Sequence, residues 1–269
     1  MKAEVEKWMA KQGFTFEMHV AKSFQATCSV VDQSQYYSDP ITEKLREIDV
    51  VARHLAQVGK AIVEFVYVVE CKHSIDKPWV MFTHKKSKTY DESLAMCTLP
   101  ATQNGNVMLL EMAVKHVFEG NYLFEQPDRI GHGITCSLQG NNDIAFNAVH
   151  SVISASIGLN RKEDEYSVAT GLKGYNPIQV TLPIVVLNGL LFESYLDDNG
   201  ELKLEEIERG VLLQASTASR GASCRVDVIP AKSLPKYIEG IDTGWKALRP
   251  AIENDLGKMK EIVQRERGC

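Results

Sequence analysis

Two stretches one hairpin apart decide the fold: Arg46-Glu47-Ile48-Asp49-Val50-Val51 and Ile62-Val63-Glu64-Phe65-Val66-Tyr67-Val68-Val69-Glu70-Cys71-Lys72. The second is apolar on both faces up to Val69, the pattern of a central strand covered on both sides. Gln57-Val58-Gly59 predicts a turn that folds it back on a strand from Arg46 to Leu55. With the turn centred between Gly59 and Lys60, Asp49 falls opposite Glu70. A one-residue shift in the turn would break that match.

On such a strand Glu70 and Lys72 project from one face, roughly 6.6 Å apart along the backbone, with Cys71 on the other face. A carboxylate and an ammonium at the end of a buried strand are costly without partners or a metal. Asp49 facing Glu70 adds like-charge repulsion, and each carboxylate raises the other's pKa. A divalent cation removes that conflict, and carboxylate oxygens are what Mg²⁺ prefers. Upstream, Glu17, Val20, Ala21 and Phe24 follow the i, i+3, i+4, i+7 spacing of a core-facing helix stripe. Glu17 should therefore meet the sheet; the alternative is a first-turn glutamate favoured by the helix dipole.

The rest of the chain fits around this hairpin. A short helix is expected over Lys2 to Gln12. A second should begin after Thr15 as N-cap and run to about Thr27, followed by a strand from Ser29 to Tyr37. Trp79 to Thr83 reads as a strand and Val107 to Phe118 as a helix. Asp143 to Ile157 is an amphipathic helix with Ala145, Val149, Val152, Ile153 and Ser156 on one face and Gly158 as its stop. Val180 to Leu187 is an apolar strand, and Leu190 to Leu196 leads into a hairpin turn at Asp198-Asn199-Gly200. Arg225 to Ile229 is a short strand, and the last 40 or so residues read as helical. This order predicts an α/β protein: a mixed sheet with helices on both faces.

Among 269 residues, 44% are apolar and 24% charged, which excludes disorder, collagen and coiled coil as the main architecture. A net charge of −5 excludes a generic polyanion binder held by bulk charge, so nucleic-acid binding would need a local basic surface. Six cysteines show no metal-binding spacing, and the charged N-terminus has no apolar signal core. Together these lead us to expect reduced thiols, a cytoplasmic location and no membrane span.

The Asp49 and Glu70-Cys71-Lys72 pair, with Glu17 on a preceding helix, resembles the PD-(D/E)xK nuclease superfamily, whose fold is restriction-endonuclease-like. The resemblance covers about residues 14–76, with weaker support from the later helix and strand. It departs from the family's literal Pro-Asp, since Ile48 precedes Asp49. It implies one domain over 1–269: a core at about 14–76 and 142–229, an insertion at 77–141 and C-terminal helices at 230–269. It further implies that Asp49, Glu70 and the backbone carbonyl of Cys71 ligate Mg²⁺, or Mn²⁺ in its place. Glu17 would hold a second metal or its water shell, and Lys72 would orient the attacking water and offset phosphate charge.

The expected reaction is phosphodiester hydrolysis in nucleic acid, with DNA the expected partner. Two alternatives stay open: a catalytically silent member that binds nucleic acid or protein, and a nuclease for RNA or structured junctions. A homodimer is compatible with the sequence and is not specified by it. Lys44 and Arg46, which follow the Asp39-Pro40 turn, are candidate backbone contacts. So are His73, Ser74 and Lys77 after the motif strand, and the basic run with Lys85, Lys86 and Lys88; the alternative for all is ordinary solvated charge. Gly131-His132-Gly133 lacks dinucleotide-binding spacing, and His132 and His150 read as lone histidines, polar or packed rather than catalytic. Ala215 to Ser223 reads as a loop.

Overall fold

The computed structural model describes residues 1–11, 13–58, 61–86, 98–138, 143–170 and 177–266. Its centre is the expected hairpin. Strand β2 (Leu45–Val58) pairs antiparallel with β3 (Ala61–His73), with Val50 facing Val69 and Val58 facing Ala61. That is the register in which Asp49 and Glu70 come next. Strand β1 (Val30–Ser38) covers the outer edge of β2, and β6 (Ile178–Asn188) runs parallel to β3 on the other side.

Seven further elements extend the sheet or cover it. They are β4 (Trp79–Lys85), β5 (Arg129–Cys136), β7 (Leu191–Leu196), β8 (Leu202–Glu206), β9 (Gly210–Ala215), β10 (Ser223–Pro230) and the helix α3 (Gln103–Val114). The ten-stranded mixed sheet runs β1-β2-β3-β6-β10-β9-β5-β4-β7-β8. Within the span 77–141, β4 and β5 belong to the same sheet as the β2–β3 hairpin. Strand β5 contains Gly131-His132-Gly133, and β9 also went unseen in the sequence. Their glycines make room: a Cβ on Gly131 would lie 2.5 Å from Met81 Sδ, and one on Gly210 2.6 Å from Met81 Cε.

Helices pack on both faces, as the mixed pattern requires. On one face α2 (Phe14–Gln25), α3 and α5 (Leu234–Glu266) bring Val20, Phe24, Leu109, Trp245 and Leu248 against Phe65, Tyr67, Val69 and Leu182. A shorter helix, α1 (Lys2–Lys11), precedes them. On the other face α4 (Ile144–Thr170) buries Ala145, Val149, Val152 and Ile153 against Val66, Val68, Val185 and Val226. Alternate residues of β3 thus serve opposite layers, which is why it reads as apolar throughout. No helix among the described residues is long and apolar enough to cross a membrane.

Three local readings are corrected. Helix α2 starts at Phe14 with Gly13 as N-cap, at φ 82°, and Thr15 lies inside its first turn. Gly158 does not stop α4, which continues to Thr170. Its role is close approach, because a Cβ there would lie 2.5 Å from the Ser38 carbonyl oxygen. The C-terminal region is one long helix after a short 3₁₀ turn at Ala231–Ser233.

Pro183 lies inside β6, where a missing N–H would normally cost a rung of the ladder. Here it falls between partners: Thr181 N–H donates to the Pro100 carbonyl at 2.8 Å, and pairing with β10 begins only at Ile184. We predict that Gly158→Ala, a good helix former at a helical site, destabilises the protein by about 1–3 kcal/mol through overpacking. Urea unfolding measures this; a neutral or stabilising effect would show that α4 and β1 can separate freely.

Candidate active site

The end of the β2–β3 hairpin gathers four charged side chains. Asp49 sits where strand regularity fails. The β1–β2 ladder passes from Gln33–Val50 to Gln35–Ile48 without pairing Ser34 with Asp49, and Ser34 has φ 53°. Ile48 joins the same core layer as Val51, three residues on, so simple alternation is broken at this point. On the other side of β2 the ladder with β3 ends at Val50–Val69, and beyond it Cys71 N–H donates to Asp49 Oδ2 at 2.7 Å. A side chain thus accepts the bond that a β2 carbonyl would take in a continued ladder.

Glu70 is buried, with 7% of its surface exposed, and Lys72 is half-buried beside it. Lys72 Nζ donates to Glu70 Oε1, and Ser151 Oγ from α4 donates to Glu70 Oε2 at 3.2 Å. Glu17 reaches the cluster from the first turn of α2 and is half-buried. Its Oε1 lies 3.8 Å from where a Cβ on Gly13 would stand, so the carboxylate also leans over its own helix start. Both sequence readings of Glu17 hold part of the truth: it is a first-turn glutamate, and it feels the charge of Asp49 and Glu70.

Burial pushes the carboxyls of Glu17, Asp49 and Glu70 above their usual range; mutual repulsion adds to the effect on Glu17 and Glu70, and the exposed Glu47 on β2 adds to it at Glu17 and Asp49. The Cys71 N–H and Lys72 partly offset it at Asp49. Burial works against the Lys72 ammonium too, but Glu70 and Asp49 outweigh it and hold its pKa above the usual value. The cluster has one cation for three carboxylates. Among the described residues, no three His, Cys, Asp or Glu side chains form a ready-made metal cage.

The cluster opens into a pocket of about 540 Å³. Glu70 and Lys72 line it, the β1–β2 connection contributes Asp39 and Ile41, and the start of β2 contributes Arg46. Helix α4 supplies Asn147, His150, Ser151 and Ser154, while Ser216 and Thr217 come from the β9–β10 turn. That turn is held by its own bonds, among them Ser219 Oγ to the Ser216 carbonyl at 2.8 Å. Ser151 also shares a hydrogen bond with Tyr37, which is buried at the pocket wall.

The tentative contact residues are not all brought together. Arg46 is at the pocket and is held by Asp39 at 3.0 Å, and Lys44 is exposed just before β2. His73 is exposed beyond Lys72, with Nδ1 2.9 Å from Asn188 Nδ2, and Lys77 is exposed in the following turn. Ser74 is buried, and its hydroxyl donates to the Lys77 carbonyl at 2.8 Å. Lys85 lies six residues beyond Trp79, so about 20 Å along β4 from its start. Lys86 follows Lys85, and Lys88 lies outside the described residues. His150, read from sequence as polar or packed rather than catalytic, lines the pocket.

Comparison with known proteins finds no matching family model, curated protein or solved structure. The geometry of the site therefore carries the functional argument alone.

Two stability outcomes follow. Asp49→Asn keeps an oxygen for the Cys71 N–H, whereas Asp49→Ala leaves that donor unpaired at a cost of about 1–3 kcal/mol. The asparagine variant should be the more stable by that margin in denaturant unfolding. The raised carboxyls keep their protons in the folded state to higher pH than in the unfolded chain. Their contribution is therefore full below the ordinary carboxylate pKa and is lost as pH rises through the raised values. Melting curves across that window should fall less steeply for Asp49→Asn than for the natural chain.

Proposed function

We propose that this protein is a metal-dependent phosphodiesterase acting on nucleic acid, DNA in the first instance, with a restriction-endonuclease-like core. The observation that carries this reading is the convergence of Asp49, Glu70 and Lys72 at one hairpin end, beside an open polar pocket, with Glu17 approaching from α2. A structural ion pair has no need of three carboxylates around one ammonium. Perturbed titrating groups in a cleft are instead the mark of chemistry.

The donor set suits Mg²⁺, which binds through one or two carboxylates and keeps much of its water, so a closed protein cage is not required. Asp49 and Glu70 would hold it, with Glu17 acting on its water shell. Bound there, the ion would supply Lewis-acid polarisation of the phosphate and a more acidic water. The protein's own part is positional. Cys71 N–H fixes the Asp49 carboxylate, and Ser151 fixes Glu70. Lys72 then offers an ammonium to the charge that develops on the non-bridging oxygens.

One observation favours a second reading, a catalytically silent binder. Both Glu70 oxygens already have donors, Lys72 and Ser151, which would also describe a closed structural knot. Incubation with single- and double-stranded DNA and RNA, in Mg²⁺, Mn²⁺ or EDTA, separates the two. We expect cleavage with either ion and none with EDTA. Lys72→Ala should lower turnover by on the order of 10²–10³ while affinity changes little, because its contribution lies in the transition state. Calorimetry should detect Mn²⁺ binding that Asp49→Ala removes. A Lys72→Ala protein cutting at the natural rate would overturn the nuclease reading, and absence of both cleavage and Mn²⁺ binding would favour the silent one.

A further inference from the structure

The pocket beside Glu70 and Lys72 has a composition that phosphate binding does not explain. Most of its wall is neutral: Asn147, His150 and Ser154 on α4, and Ser216 and Thr217 opposite. The first three stand at i, i+3 and i+7, one face of the helix. Arg46, the cation on the far wall, is already paired with Asp39. Asp39 in turn accepts from the Ile41 and Thr42 backbone N–H groups at 3.0 and 2.8 Å. Phosphate tracking is done with free Lys and Arg, while neutral donors and acceptors read sugars and base edges.

Size points the same way. About 540 Å³ lies in the range of small-molecule sites, roughly 300–1,000 Å³. A helical duplex cannot enter such a space. One nucleotide, out of the base stack, can.

His150 supplies a separate observation. Its Nε2 is buried and has no hydrogen-bond partner. Buried polar atoms are nearly always paired, so one left over beside a pocket calls for a ligand group or water. The ring packs against Phe146, whose centroid is 4.2 Å away.

We infer that this pocket receives a single unpaired nucleotide, with His150 Nε2 bonding its base or sugar, so that the preferred substrate is single-stranded or locally unpaired nucleic acid. The inference rests on the nuclease reading for its chemistry, and its binding part can be measured apart from cleavage.

The test uses three labelled DNA oligonucleotides of one sequence: single-stranded, fully paired, and paired with a central unpaired bubble. Cleavage is followed with Mn²⁺, and binding is followed by anisotropy with the Lys72→Ala protein, with and without a His150 change. His150→Phe keeps the ring against Phe146 and removes Nε2; His150→Gln is a second variant that keeps a hydrogen-bonding group. Folding of each is checked by melting temperature.

We expect the single strand and the bubble to be cut and bound at least about tenfold better than the duplex. A net hydrogen bond of about 1.4 kcal/mol corresponds to tenfold. His150→Phe should accordingly raise KM on the unpaired substrates by about that factor, more than it lowers kcat, with His150→Gln recovering part. Equal use of all three substrates, or an unchanged KM in a folded His150→Phe protein, would overturn the pocket assignment and leave the nuclease reading standing. Binding of unpaired DNA that depends on His150, without any cleavage, would do the opposite. Neither binding nor cleavage would overturn both.

Discussion

The pairing of β2 with β3 is the constraint on which the site depends. Side chains alternate across a strand, so slipping this hairpin by one residue would move Glu70 and Lys72 away from the α4 face and lose Ser151 as a partner. The apolar residues of β3 hold the register from both sides, because Tyr67 and Val69 fit one layer and Val66 and Val68 the other. A core layer thereby enforces the geometry of a polar cluster. At the charged end of the hairpin the carboxylates repel, and the Cys71 N–H and Lys72 offset that repulsion only in part.

That repulsion explains the local backbone. A ladder continued past Val50–Val69 would offer Cys71 a carbonyl; here the Asp49 side chain offers a carboxylate instead. The exchange brings a charged group in among the strands, where the N–H dipole partly satisfies it. Elsewhere the protein handles buried charge by full pairing. Asp227 is bonded by Arg225 at 2.9 Å, Arg209 at 2.9 Å and Tyr237 at 3.1 Å, and these partners hold its carboxyl below the usual range against the effect of burial. The contrast is informative: the same chain neutralises buried Asp227 with two guanidinium groups and leaves buried Glu70 and half-buried Asp49 and Glu17 sharing one lysine.

Much of this was legible in the residues. The register followed from one turn, and the apolar stripe of α4 from its periodicity, because both depend on local spacing. Strands β5 and β9 were hidden because their glycines, which read as loop signals, are there to admit Met81 from β4. Gly158 misled for the same reason: its need for space comes from Ser38 on a distant strand. His150 shows the limit most plainly. The polar positions Asn147, His150, Ser151 and Ser154 follow a helical spacing that could have flagged a second, non-core face of α4. Nothing local says that this face borders Glu70, since that contact spans 81 residues.

Pro183 has a bearing on the chain before it folds. The segment Ile178 to Leu187 is the most thoroughly buried strand of the sheet, and every residue in it is shielded from water. While a ribosome or a thermal fluctuation exposes it, the same composition is suited to stacking with copies of itself, a hazard greatest in runs of six or seven β-formers without proline. A proline in the middle cuts such a run in two, because an intermolecular ladder needs an N–H at every other residue on each edge. In the native sheet the omission falls in the gap between Pro100 and β10, where no partner asks for it. The residue thus disfavours the misassembled state without a matching loss in the folded one.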